Sequence, residues 1–565
     1  MGLGMILMLG SCSVYSPDGG PTAGLLPDDR IAESQRFRSI ADAYIDWNYA
    51  THPTWATRDG IHDHDGQLGK WTREAIESQI LSLKRYETRL MGVEAAALDD
   101  DAYYDLQVLK LQIAGAALDL AEIRSWEKNP NFYREVISSG LYSLASLGFD
   151  SPERRMALAA ERLKRVPDVL AAGRENLTHP PRIFTEVAID EFSGTYAFLK
   201  TSLPQAFAAV KDDAVRARFN EALKPALDAI EKFVDWMRKD LLPASTGSFA
   251  LGADLYRRKV ALDEGIDLPI DELLQRGRDL LRSTQEEMKK IAGDKPVKAQ
   301  LRESSRDRPA AERLIPETQA MLDRLKAWAS EVTSVPPDAE CRVQETPAFR
   351  RSLSFASMET PGPFEKVARD AYYSITLPDP AWSTDRQEQH LSFFNKYSLP
   401  LISVHEAYPG HYVQFLHVQK VTSRVRKIFG CASFSEGWAH YCEQLYVERN
   451  PEPMLHLHQL QLALVRICRY LAGIEMHAKG MTYEQAVELF VNEGYMERVA
   501  AEREARRGTA DPTYLVYTLG KHEILKLRDE YRGRTGASLR AFHDELLATG
   551  YPPVPIARKI LFRER

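Results

Sequence analysis

One stretch of this 565-residue chain carries residue types and spacing suited to metal chemistry: Val404-His405-Glu406-Ala407-Tyr408-Pro409-Gly410-His411-Tyr412-Val413-Gln414. Two imidazoles flank a glutamate inside an apolar, helix-like run, and a second glutamate, Glu436, follows in the next segment. Neutral imidazole suits zinc, and a carboxylate beside a zinc-acidified water can take its proton. Helical zinc proteases usually set their two histidines four residues apart, on one face. Here the separation is six, and at about 100° per residue an unbroken helix would carry the two rings apart. Pro409 lacks the N–H that would bond the His405 carbonyl, and its ring clashes with that carbonyl. Gly410 admits backbone angles closed to other residues. The pair predicts a kinked or bulged helix that returns His411 to the side of His405. On this reading His405 and His411 are zinc ligands. Glu406, offset from His405 around the helix, is the general base that later delivers its proton to a leaving amine.

A catalytic zinc needs a third protein ligand and one open position. Glu436 and Glu443 lie two turns apart on one helical face, and both qualify. The interval after His411 is long enough for the motif helix to end, turn near Gly430 and lead into an antiparallel helix. His440, one turn from Glu436, and Gln414, near His411, are placed to orient ligands. Hydrolysis also needs a donor for the oxyanion, for which Tyr514, Tyr517 and His477 are candidates. Arg506, Arg507 and Lys521 are cations in the same late segment, suited to a substrate carboxylate. His62-Asp63-His64-Asp65 reads instead as a polar turn ending at Gly66. His456 and His458, two residues apart, point away from each other on a helix.

These residues carry a resemblance. His405-Glu406-x-x-Pro409-Gly410-His411-x-x-Gln414 resembles the signature of the bacterial family named domain of unknown function 885, which is usually placed among gluzincin-like zinc metallopeptidases. Ser435-Glu436-Gly437-Trp438-Ala439-His440-Tyr441 is similar to its second signature, and that likeness implies Glu436 as the third zinc ligand. A third match runs from Glu504-x-Arg506 to Pro512-x-x-x-x-Tyr517-x-x-Gly520-Lys521. Weaker ones are Gly60-Ile61-His62, Asn129-Pro130-x-x-Tyr133 and Asn176-Leu177 to Pro180-Pro181. Gluzincin oligopeptidases present a tyrosine from a late helix, which implies Tyr517 as the oxyanion donor. The chain departs from the family pattern at Arg469, Gly473, Glu475 and His477, where an aspartate and a glycine are missing.

The elements that must position these residues are mainly helical. Ala75 to Met91, Asp101 to Ile123, Pro152 to Asn176, Ala214 to Lys239 and Ile270 to Ile291 carry apolar residues at threes and fours. Lys295 to Arg313 is charged and polar, an exposed connection or helix start. Ala371 to Leu377 is aromatic and β-branched and stops at Pro378-Asp379-Pro380, which reads as a strand. In gluzincins such a strand lies beside the zinc helix, so a small sheet with Tyr373 to Leu377 at its edge is expected there. The chain is then helical from Gln387 almost to Leu547, interrupted near Arg449–Pro453 and Arg507–Pro512. The expected architecture is a mainly α, two-lobed zinc-peptidase-like fold around a cleft. Residues 27–294 form a helical N-terminal lobe and residues 295–565 the catalytic lobe.

A net charge of −7 and dispersed Lys and Arg give no electrostatic case for nucleic acid. No apolar run reaches the roughly 18 residues of a membrane-spanning helix. Residues 1–26 begin with a short apolar stretch, then Leu9-Gly10-Ser11-Cys12 and a Ser/Pro/Gly-rich spacer. That pattern resembles a bacterial lipoprotein cleavage site with Cys12 as the lipidated residue, although the basic flank of an export signal is absent. Ser13 after the cysteine favours the outer membrane in enteric-type sorting. An exported lipoprotein, periplasmic or in the outer membrane, is expected, with a cytoplasmic location as the alternative. Cys341, Cys431, Cys442 and Cys468 form no zinc-type pair and read as small buried residues. The expected function is zinc-dependent hydrolysis of peptide bonds in short peptides. The alternatives are a cell-envelope lipoprotein that binds peptides without catalysis and a metal-dependent amidase acting on cell-wall peptides.

Overall fold

The computed structural model describes residues 27–346, 351 and 355–565. Cys12 and the rest of the 1–26 segment lie outside them. The fold is mainly helical, 71% helix with one three-stranded sheet. Helices run in chain order from α1 (Pro27–Thr51) to α27 (Val554–Phe562). Among the described residues, no helix is long and apolar enough to cross a membrane.

Most periodic segments become the expected helices: α3 (Arg73–Met91), α4 (Asp100–Leu118), α11 (Asp213–Trp236) and α14 (Ile270–Ala292). Residues 152–176 do not form one helix but two, α7 (Pro152–Leu163) and α8 (Val166–Asn176). Pro167 explains the break, because its nitrogen cannot donate to the carbonyl four residues earlier. The polar 295–313 stretch contributes a short helix, α15 (Val297–Ser304), and the start of α16 (Ala311–Val332).

The sheet corrects one expectation. Its order is β1 (Cys341–Glu345), β3 (Ala371–Ile375), β2 (Ala356–Glu359), so β3 is the central strand, not the edge. Tyr373 pairs with Val343 in parallel on one side and with Met358 in antiparallel on the other. Four of the five β3 residues are buried, which suits a strand covered on both sides, whereas β1 and β2 carry more polar residues. The fully buried Tyr373 accepts a 3.4 Å hydrogen bond from Ser403, so the sheet docks on the helix that carries His405.

Several cores join early and late parts of the chain. Leu106 and Ile113 pack with Val425, Phe429 and Ile556; Tyr256 and Leu273 with Tyr470 and Leu519; Met288 with Leu457 and Leu464. The early motifs act as struts. Gly60 has φ 88°, and a Cβ there would lie 2.4 Å from the Glu365 nitrogen. His62 bridges Asp65 at 2.9 Å and Glu365 at 3.0 Å, fastening that turn to the loop before β3. Asn176 donates to the Trp71 carbonyl and to the Tyr133 hydroxyl.

Candidate metal centre

The helix carrying the first histidine, α18 (Ser398–Glu406), ends one residue after His405, and α19 begins at His411 (His411–Val418). The predicted kink is thus a complete break across Ala407 to Gly410, which includes a cis Tyr408-Pro409 bond. Gly410 donates to the Val404 carbonyl at 3.0 Å, and a Cβ on it would lie 1.8 Å from the His405 oxygen. Only glycine allows so close an approach. Trp438, fully buried on α21 (Ala432–Arg449), donates its indole N–H to the Pro409 carbonyl at 2.9 Å and pins the break to that helix.

The break brings the two imidazoles together, with ring centroids 4.8 Å apart and nearly perpendicular. Glu436, from the second turn of α21, reaches the same point: its Oε2 lies 3.5 Å from His405 Nε2 and 3.5 Å from His411 Nε2. Those separations are too long for good hydrogen bonds, and Glu436 Oε2 is buried with no hydrogen-bond partner. One donor atom from each of the three residues lies within 4.8 Å of the others.

Glu443 lies behind the cluster instead of within it. Its carboxylate accepts from His405 Nδ1 at 2.7 Å, contacts His440 Nδ1 at 3.3 Å and pairs with Arg466 at 2.9 Å. With Nδ1 so engaged, His405 presents Nε2 to Glu436 and His411. Burial pushes the His405 imidazole down, but Glu436 and Glu443 outweigh it and raise the ring to about 9. Burial raises Glu436 too, yet His411 and His405 outweigh it and hold its carboxyl well below the usual range. Burial dominates at Glu406, and with the Glu436 charge it raises that carboxyl despite both histidines. Two carboxylates of one site are therefore pushed in opposite directions.

Tyr517, on α25 (Val516–Thr535), is buried, and its hydroxyl accepts from Arg507 at 3.0 Å. Burial, and then the Glu436 charge, raise its phenol, so it remains a protonated donor. Arg469, on α22 (Pro453–Ala478), forks onto Glu504 at 2.7 and 2.8 Å, and Glu504 accepts from Tyr514. The guanidinium carbons of Arg466 and Arg469 stand 5.8 and 5.2 Å from the Tyr517 ring.

The remaining sequence candidates divide. Gln414 joins α19 to α21, accepting from Ser435 at 3.1 Å. His440 is buried and driven to about 3 by burial and by the Lys521 charge. His477 sits apart from the cluster as a brace: its Nε2 meets the Gly508 carbonyl at 2.9 Å, and its ring packs against Phe249 and Tyr256. Arg506 is exposed, and its neighbour Arg507 is the one that reaches Tyr517. Lys521 lines a separate cavity with His440. All four described cysteines are buried and free. His456 contacts Glu287, and His458 bridges Ser304 and Ser398. Sequence reading missed Arg466; the signal was a pair of arginines, Arg466 and Arg469, one turn apart in the otherwise apolar run 462–474 of that helix.

No curated protein matches this chain. Among solved structures, one from Shewanella oneidensis is 26% identical and superposes with a TM-score of 0.78, covering 93% of this chain and 99% of that one. Another, from Colwellia psychrerythraea, is 18% identical with a TM-score of 0.78 over 95% and 99% of the two chains. Both are described as "putative" lipoproteins, the first explicitly of unknown function. Residues 53–561, a span that takes in the histidine pair, Glu436 and Tyr517, match the family described as bacterial protein of unknown function, DUF885, and the chain belongs to that family.

Proposed function

We propose that the chain is a zinc-dependent hydrolase of peptide bonds, acting on short peptides. The observation that carries this reading is the convergence of His405, His411 and Glu436 on one point. The residues fit the ion. An orphaned carboxylate oxygen faces two imidazole nitrogens at 3.5 Å, close to the roughly 3.3 Å edge of a tetrahedron with zinc bonds of about 2.0–2.1 Å. Two histidines and a glutamate are also a donor set of catalytic zinc. When bound, zinc supplies an acidified water and polarises the scissile carbonyl. Glu406 takes the water proton and passes it to the leaving amine. Tyr517 donates its O–H to the oxyanion, with its ring held among Arg466, Arg469 and Arg507. Glu443 keeps His405 in the tautomer that offers Nε2. In the two-lobed reading, helices before and after residue 294 flank the cleft that admits the peptide. The test is metal analysis of purified protein together with a peptide-library digest read by mass spectrometry. Zinc bound at one per chain, with chelator-sensitive cleavage, is the expected result.

A second reading is favoured by the lipoprotein descriptions of the two solved structures. In it, a lipid on Cys12 tethers the chain to a membrane and the site holds peptides without cutting them. Protein that binds zinc yet leaves a broad peptide library uncut would establish this reading over the first.

A further inference from the structure

Three arginines surround the Tyr517 ring, and one of them keeps most of its guanidinium unused. The guanidinium carbons of Arg466, Arg469 and Arg507 stand 5.8, 5.2 and 6.0 Å from that ring. Arg466 is held by Glu443 at 2.9 Å, and Arg469 forks onto Glu504 at 2.7 and 2.8 Å, so both acids are taken. The other acids of the site, Glu406 and Glu436, lie beside the two histidines. Arg507 lies on α24 (Arg498–Ala510) and donates Nη2 to the neutral Tyr517 hydroxyl at 3.0 Å. Its ion pair with Asp511 is 3.7 Å long, beyond hydrogen-bonding distance. Its Nε and Nη1 have no hydrogen-bond partner among the described residues, and the side chain is 48% exposed, within reach of a ligand. Arg503, one turn earlier on the same helix face, is near enough for the two positive charges to repel. It sets its guanidinium carbon 5.5 Å from the Phe355 ring, just before β2. An anion placed against Arg507 would relieve that repulsion and fill the unused half of the fork.

We propose that Arg507, with Arg503 beside it, takes the free C-terminal carboxylate of a short peptide, so that the site cuts within about two residues of that end. This rests on the peptidase reading of the His405 cluster and adds which end of the peptide is recognised. The planar guanidinium matches a carboxylate with parallel N–H bonds, and its charge selects the acid over a neutral amide. Reach sets the position of the cut. A scissile oxygen accepting from Tyr517 lies about 2.7 Å from the hydroxyl, and a carboxylate oxygen about 2.8 Å from Arg507. With the 3.0 Å between Arg507 and Tyr517, these bonds reach about 8.5 Å at most, and an extended chain covers about 3.3–3.6 Å per residue. Water adds to the scissile carbonyl, and the C–N bond breaks with its electron pair staying on nitrogen. The proton held by Glu406 goes to that amine. The products are a shortened peptide acid and a free amino acid or dipeptide.

Calorimetric titration of zinc-loaded Glu406→Gln, as the full chain, with N-acetyl-trialanine and with its C-terminal amide tests recognition without turnover. The acid is expected to bind at least tenfold more tightly than the amide. Arg507→Gln in the same protein is expected to cut that preference below twofold, and Arg507→Lys to keep it severalfold. A merely structural role, loosening Tyr517, would weaken both ligands together and leave their ratio. The amide of a peptide ending in glutamate is expected to bind like the alanine amide, which separates the chain terminus from a side-chain carboxylate. Digestion by wild type then locates the cut: alanine or dialanine is expected from the acid, with the amide cleaved at least tenfold more slowly. Equal affinities for acid and amide overturn the proposal, as does a preference that survives Arg507→Gln. Acid and amide cleaved at equal rates sink it while the peptidase reading stands. A preference for the acid in a protein that cuts nothing sinks the peptidase reading and carries the Arg507 recognition over to the binding one.

Discussion

On the proposed reading each residue of the candidate metal cluster has a distinct role, and substitutions should separate them. Glu406→Gln keeps shape and removes the base, so zinc and peptide are expected to bind while turnover falls about 10²–10⁴-fold. His411→Ala is expected to lose zinc and activity together, read by metal analysis beside the cleavage assay, because two ligands rarely hold zinc. Tyr517→Phe removes only the O–H proposed to act on developing charge, so kcat is expected to fall with KM nearly unchanged. Equal rates for wild type and Glu406→Gln would place the activity elsewhere. At this scale the sequence was legible where chemistry dictates residue type and order. His405, Glu406, His411 and Glu436 stand in one motif or its successor, and Pro409-Gly410 announced the break. Glu443 was harder to place. A carboxylate two turns from Glu436 faces the same way whether it meets the ion or the far nitrogen of His405, and only the fold shows it taking Nδ1 at 2.7 Å. Arg466 meets Glu443 and the Tyr517 ring from a different helix, which spacing cannot pair, and the Arg507–Tyr517 bond, though it spans only ten residues, depends on the angle of the turn between two successive helices.

Two glycines set how closely the elements around the site approach. A Cβ on Gly520 would lie 1.7 Å from the Ser433 carbonyl oxygen, and one on Gly437 would lie 2.4 Å from the Gly520 carbonyl carbon. Backbone therefore meets backbone where α21 and α25 cross, one turn from Glu436 and from Tyr517. Gly520→Ala must push the helices apart. The cost expected from chemical denaturation is about 3 kcal/mol, at the upper end of overpacking. Turnover should fall as well, since the shift carries Tyr517 away from Glu436. A variant as stable and active as wild type would show that the crossing tolerates a methyl group. The glycines were visible in the sequence, but not what they touch, because the contact joins segments more than eighty residues apart. Strand order failed for a similar reason. Residue type marked Ala371 to Ile375 as a strand, yet its central position depends on β1 and β2, whose polar composition signals a strand only weakly.

Two properties of the whole molecule follow from its shared cores and buried charges. Burial raises the Glu504 carboxyl, but Arg469 outweighs it and holds the group at about 2, below its ordinary 4.5. A depressed carboxylate contributes stability that is fully present above about pH 4.5 and is lost as the pH falls toward 2. Denaturant midpoints for wild type are expected to drop more steeply between pH 5 and pH 3 than those of Glu504→Gln, and the full effect down to pH 2 is on the order of 2–3 kcal/mol. The last expectation concerns the two halves of the chain. Every proposed metal ligand lies after residue 294, so residues 295–565 look sufficient for the site. The packing argues otherwise. On α22, Ile467, Tyr470, Leu471 and Ile474 bury themselves against Tyr256, Val260, Leu273 and Leu274, while Leu457 and Leu464 pack on Met288. Val425, Phe429 and Ile556 close a core made otherwise of residues from 37 to 113. Each large apolar side chain left in water forfeits about 1.5–3 kcal/mol, so nine of them match or exceed the whole stability of an ordinary domain, about 5–15 kcal/mol. The same helix carries Arg466 and Arg469, so losing its support also loosens the setting of His405 and Tyr517. Expressed alone, residues 295–565 are expected to aggregate or to unfold without a cooperative transition, and co-expression with residues 27–294 to restore both solubility and zinc binding. A fragment that melts cooperatively and holds zinc by itself would show that residues 295–565 are a folding unit, with the shared cores acting only as an interface.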